Sequence, residues 1–222
     1  RIVAGGADVR GNMSAALTET LTAGLLCNDS RLVEADGLWR VEGDPTEGAL
    51  LTAAAKAGLF PQDAEVKMPR KDVIPFESER QFMATLHFTA DGHVLYLKGA
   101  IEKVLEACSE GLSADGKTAA LDKDALHQKV DELAAEGLRV LALASKKIDR
   151  DKLEVEDCLS GLTFVGLQGM IDPPRTEAVA AVGVCRSAGI AVKMITGDHA
   201  VTATEIARQL GIGLTKGGED KK

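Results

Sequence analysis

Apolar positions recur along this chain with two periods, and the switches between them divide it into elements. From Ser14, a serine placed to cap, Leu17, Leu21 and Leu25 fall on one helical stripe that ends near Cys27. Leu38-Trp39-Arg40-Val41 reads as a short strand. Asp44-Pro45-Thr46-Glu47 supplies a cap, a first-turn proline and a glutamate at the third helical position. It predicts a capping box ahead of Leu50 and Leu51, in a helix that Gly58 stops. Phe82–Phe88 and His93–Lys98 alternate on either side of Thr89-Ala90-Asp91-Gly92, which predicts an antiparallel hairpin. Gly99 opens a helix carrying Ile101, Val104 and Leu105, and Asp122 caps another with Leu126, Val130 and Leu133, ended by Gly137. Strands follow at Leu138–Ala144 and Leu162–Leu167.

After residue 171 the pattern changes. Asp172-Pro173-Pro174-Arg175 ends an apolar run with two rings that fix φ near about −65° and remove donors, so a strand cannot continue. Asp172 is placed to cap a helix with Val179, Val182 and Cys185. Ile190–Ile195, apolar on both faces, reads as a buried parallel strand, and Asp198 caps a helix with Val201, Ile206 and Leu210. The intervening Thr196-Gly197-Asp198 turn would then sit at a strand's carboxyl end, either as an ordinary capped turn or as a phosphate site. The expected fold class is α+β up to residue 171, an antiparallel sheet flanked by helices, followed by part of an α/β unit.

Composition narrows the functions. The net charge of −8 leaves no basic stripe for a nucleic-acid backbone. Cys27, Cys108, Cys158 and Cys185 form no CxxC pair, so neither a zinc site nor a disulfide framework is expected, and no metal site is assigned. No apolar run approaches the ~20 residues of a membrane span, and the first residues lack a signal-peptide core, giving a cytoplasmic character. Both ends suit a fragment of something larger.

Four side chains carry candidate chemistry, each with a plainer alternative. Phe76, after a proline and among charges in Ile74–Arg80, is either a platform for a base or a ring at the edge of the core. Lys98, just before Gly99 and a helix start, either meets a phosphate or is an exposed strand end. Glu47 is the capping-box glutamate. Arg139, inside an apolar run, either snorkels to an edge or pairs with an anion.

Their order along the chain says more than any one of them. Asp44-Pro45-Thr46-Glu47-Gly48-Ala49-Leu50, Pro75–Arg80, Lys98-Gly99-Ala100, Leu138–Ala142, Asp172-Pro173-Pro174-Arg175 and Thr196-Gly197-Asp198 occur in one series. That series closely resembles the cytoplasmic region of P-type cation-transporting ATPases, in particular the type II pumps that include calcium pumps.

The resemblance implies a nucleotide-binding domain over residues 1–171, a hinge at 172–175, and part of a haloacid-dehalogenase-like phosphorylation domain over 176–222. It implies ATP as ligand, with Phe76 on the adenine, Lys98 and Gly99 in the same pocket, Glu47 near the adenine amino group and Arg139 near the phosphates. Asp172 and Arg175 would lie at the hinge, and Thr196, Gly197 and Asp198 would face the γ-phosphate. Magnesium and the rest of the pump polypeptide would be further partners, on the cytoplasmic face of a membrane. The family's Asp-Lys-Thr-Gly-Thr, which carries the phosphorylated aspartate, would fall before Arg1, so no catalytic residue is expected within the chain. Its later magnesium-holding Thr-Gly-Asp-Gly-Val-Asn-Asp would follow Lys222. Ile101 also replaces the proline common in Lys-Gly-Ala-Pro-Glu. A free-standing phosphatase and a non-catalytic nucleotide-binding module are the alternatives.

Overall fold

A computed structural model describes residues 3–4, 7–8, 13–171, 174–196 and 200–213. The chain divides into two compact units, Arg1–Lys123 with Leu141–Gln168, and Asp124–Val140 with Gly169–Lys222.

The first unit opens with two short antiparallel strands, β1 (Val3–Ala4) and β2 (Ala7–Asp8), and then α1 (Ala15–Leu26). Ser14 caps α1 as its sequence predicts, its Oγ accepting from the Leu17 N–H at 3.2 Å. An antiparallel pair, β3 (Arg31–Ala35) and β4 (Leu38–Glu42), leads into α2 (Pro45–Lys56) and α3 (Pro61–Lys67). Next come β5 (Arg70–Glu77), β6 (Phe82–Thr89), β7 (Gly92–Gly99), α4 (Ile101–Ala107), β8 (Cys108–Leu112) and β9 (Thr118–Ala120). Helix α5 (Lys123–Ala135) starts directly after Asp122, and β10 (Arg139–Ile148) and β11 (Leu162–Met170) complete a seven-stranded sheet.

Its order is β5-β6-β7-β10-β11-β8-β9, antiparallel at β5–β6, β6–β7, β7–β10 and β8–β9, with one parallel pair between β8 and β11. The expected hairpin is β6–β7, turning through Ala90–Asp91 with Thr89 opposite Gly92. Every residue of β6 from Phe82 to His87 is buried, as a strand covered on both faces must be. On one face Met83, Tyr96, Leu143 and Val165 pack against Ala23, Leu26 and Cys27 of α1. Thr20 locks that helix down: its hydroxyl donates to the Val165 carbonyl at 2.7 Å, and its own carbonyl accepts from the Gln168 side chain at 3.0 Å. A second cluster of Leu25, Leu51 and Ala54 joins α1 to α2. Cys27, Cys108 and Cys158 are buried, and burial pushes the Cys108 and Cys158 thiols up to about 12.

The second unit contains the body of α5, α6 (Thr176–Ser187) and α7 (Ala200–Leu210). Two expectations change there. Arg175, not Asp172, occupies the cap position of α6, and its side chain makes no cap bond. Residues 190–196 form no strand: Ile190 is 59% and Ile195 98% exposed. A strand apolar on both faces needs neighbours on both sides, and no strand among the described residues pairs with this one. No helix among the described residues is long and apolar enough to cross a membrane.

Candidate functional site

The candidate site is assembled around one carboxylate. Asp44 caps α2 as expected, its Oδ1 accepting from the N–H groups of Thr46 at 2.8 Å and Glu47 at 3.1 Å. The predicted capping box does not close, because the Glu47 side chain turns away from its own helix. Its Oε2 accepts from the Asp29 N–H at 3.0 Å, the Ser30 N–H at 3.0 Å and the Ser30 hydroxyl at 3.1 Å. Its Oε1 takes the Lys98 ammonium at 2.5 Å. Four charge-assisted contacts outcompete the single backbone bond that a capping box offers.

Local sequence explains how the loop reaches α2. Asn28 builds an Asx turn, its Oδ1 accepting from the Ser30 N–H at 2.9 Å, while its Nδ2 donates to the carbonyls of Gly24 at 3.1 Å and Glu47 at 2.9 Å. Gly43 admits the close approach: its φ is +118°, and a Cβ there would lie 2.4 Å from the Ser30 Oγ.

Lys98 is therefore neither an exposed strand end nor a lysine waiting at a helix terminus. It is 6% exposed, opposite Met83 on β6 and Leu143 on β10, with its ammonium held by Glu47. Gly99 follows it for a steric reason. A Cβ at Gly99 would lie 2.5 Å from the Gln81 carbonyl oxygen and 2.8 Å from the Phe82 Cβ, across the Phe82–Gly99 pairing of β6 and β7. Gly99→Ala is accordingly expected to cost about 2 kcal/mol by forcing those strands apart. Urea unfolding monitored by circular dichroism measures it.

Phe76 sits on the edge strand β5, which the polar look of its segment hides. Pro75 and Phe76 form an irregularity between the pairs Ile74–Ala84 and Glu77–Phe82. The ring is 60% exposed. Met83, the β6 residue between those two pairs, is itself opposite Lys98 on β7, so Phe76 and Lys98 lie two strands apart in the same sheet. Arg80 braces the following turn, pairing with Glu77 at 2.9 Å and donating to the Pro75 carbonyl at 3.4 Å.

The remaining predicted residues lie elsewhere. Arg139 is exposed at the first position of β10 and belongs to the second unit, as do Arg175 and the exposed Thr196. Asp172, Gly197 and Asp198 lie outside the described residues. Among the described residues no group of three His, Cys, Asp or Glu side chains is arranged to hold a metal ion. Asp29 and Ser30, which hold Glu47, are absent from the sequence-based list; Asn28-Asp29-Ser30, three turn-forming residues after a helix, is the signal that marks them.

The profile of the family described as P-type ATPase, cytoplasmic domain N, matches residues 16–177, most of the chain. The chain belongs to this family. The domain is 50% identical over 198 residues to the cation-transporting ATPase pma1 of Synechocystis sp., which covers 88% of this chain and 22% of that protein. It is 46% identical over 203 residues to the probable cation-transporting ATPase F of Mycobacterium bovis, covering 90% of this chain and 22% of that protein. With the calcium-transporting ATPase 1 of Bacillus cereus it shares 38% over 191 residues, 85% of this chain and 21% of that protein. This N domain thus spans about a fifth of the length of the curated relatives it matches.

Proposed function

We propose that this N domain binds ATP, with the adenine stacked on Phe76 and the Glu47–Lys98 pair forming the wall of the same pocket. The observation that carries the reading is the placement of an exposed phenylalanine two strands from a buried lysine paired with Glu47, on the same sheet. A flat ring 60% open to solvent offers a stacking face that a core-edge ring does not. Because Lys98 is neutralised by Glu47, the pair recognises polar groups of the nucleotide rather than acting as a bare cation for its phosphates. Arg139, Gly99 and the hinge and turn residues Asp172, Arg175, Thr196, Gly197 and Asp198 have the roles that the family resemblance assigns them.

In the whole pump, on this reading, the domain presents ATP with magnesium to an aspartate supplied by the rest of the polypeptide. That is catalysis by positioning, and it drives cation transport from the cytoplasmic face of a membrane.

Titration of the domain with ATP in the absence of magnesium, followed through backbone amide shifts, tests the pocket. Shifts are expected at Phe76–Gln81 and at Lys98–Ala100. Phe76→Ala is expected to weaken binding about tenfold or more, the worth of one stacked base, while stability changes by only about 0.5 kcal/mol because the ring is mostly exposed. Unchanged affinity in this variant overturns the adenine assignment.

A further inference from the structure

We propose that Arg70 is a positioning residue for the Glu47–Lys98 pair and, resting on the reading above, for nucleotide affinity. Arg70 opens β5, far along the chain from both members of the pair, yet its guanidinium grips the loop that holds Glu47. Its Nη1 meets the Asp29 carboxylate at 2.6 Å, and its Nη2 donates to the carbonyls of Leu26 at 3.3 Å and of Asn28. Leu26 ends α1, where carbonyls lack helical partners and a cation is favoured. The planar fork reaches the carboxylate from one nitrogen and the two carbonyls from the other, a spread that the single nitrogen of a lysine does not offer.

The link matters because Glu47 has an alternative. The sequence at the start of α2 encodes a capping box, and Glu47 forgoes it only while the Asp29 and Ser30 N–H groups converge on its Oε2. Arg70 holds the two residues that set those N–H groups, through the Asn28 carbonyl and the Asp29 carboxylate, while the Asn28 Oδ1 holds the Ser30 N–H. Releasing the loop frees Glu47 to return to its helix and leaves Lys98, otherwise 6% exposed, without its anion. Arg70 thus acts through the loop on the pair, touching neither member.

The test compares wild type, Arg70→Ala and Arg70→Lys by two readouts. The first is the acylation rate of Lys98 by an amine-reactive ester, mapped by peptide mass spectrometry against Lys117, whose side chain is 83% exposed. The second is ATP affinity. Arg70→Ala is expected to raise the relative reactivity of Lys98 about fivefold through local opening and to weaken ATP about tenfold, with Arg70→Lys between the two. Unchanged Lys98 protection in a folded Arg70→Ala protein overturns the proposal, whether or not affinity changes, since lost affinity alone would mean a direct contact. Where Arg70→Ala does not fold, Asp29→Asn removes the ion pair alone, and both effects are expected in the same direction at about threefold. If wild type fails to bind ATP, the nucleotide reading falls, while Lys98 protection still decides the role of Arg70.

Discussion

Glu47→Ala is expected to destabilise the domain by about 3–5 kcal/mol, whereas Lys98→Met costs about 1–2 kcal/mol, although the two side chains form one ion pair. The asymmetry follows from what each substitution leaves behind. Without Glu47, the Lys98 ammonium stays on a buried strand with no anion and the Asp29 N–H loses its acceptor, while the Ser30 N–H and hydroxyl fall back on the Asn28 Oδ1 and the Asp44 carbonyl. Without the ammonium, Glu47 still accepts three hydrogen bonds from the loop, and a methionine replaces most of the lysine stem against its strand neighbours. Both side chains are mostly buried, 8% exposed for Lys98 and 16% for Glu47, so solvent screens little of the difference. Urea midpoints at constant slope give the two values. A larger loss for Lys98→Met than for Glu47→Ala would show that the strand, not the loop, holds the pair.

The same residue shows how far a sequence can be read. Ser14 and Asp44 cap their helices, and the β6–β7 hairpin turns where Ala90-Asp91-Gly92 indicates, because those features are decided within a few residues. Glu47 obeys the local rule only until the fold offers better donors, 17, 18 and 51 residues away in sequence. No periodicity encodes such a choice. Strand β5 is hidden for a related reason: Pro75 argues against a strand, and an edge strand with an irregularity is where a proline is tolerated. The parallel β8–β11 pair joins segments some fifty residues apart, with no local signature. The run at 190–195 is the opposite case. Its apolar pattern is strong, but a parallel strand is made by its neighbours, and none is paired with it among the described residues. The family's motifs therefore single out Glu47, Phe76 and Lys98 as candidates, whereas the pairing of Glu47 with Lys98 and the loop that holds it needed the fold.

Folding stability is expected to fall by about 2 kcal/mol between pH 7 and pH 5, and by roughly 3 kcal/mol at pH 4, on account of His87 alone. The ring is 1% exposed on β6, and burial lowers its pKa to about 4, with the Arg70 guanidinium adding to the depression. Its Nδ1 lies 2.9 Å from the Met68 carbonyl, which can only accept, so Nδ1 carries the proton and Nε2 accepts from the Thr85 hydroxyl at 2.9 Å. The neutral ring is satisfied on both sides, and a second proton must be added to a ring that is almost fully buried. In the unfolded chain His87 titrates near 6.5. Between that value and about 4 the unfolded state binds more protons than the folded one, so stability is complete above 6.5, falls as the pH drops through the window, and levels off below 4. Glu19 works in the opposite sense, because burial raises its carboxyl despite the Tyr96 hydroxyl donating to it at 2.9 Å. The difference between wild type and His87→Leu isolates the histidine. That variant is expected to lose about 1–3 kcal/mol at pH 7, from the orphaned Met68 carbonyl and Thr85 hydroxyl, and to show a correspondingly flatter fall toward pH 5. Urea unfolding at both pH values and the ring-proton titration of His87 measure it. A midpoint near 6.5 for His87 would mean that the ring is solvated in the folded domain, and Arg70→Ala is expected to move the true midpoint upward by removing a cation beside it.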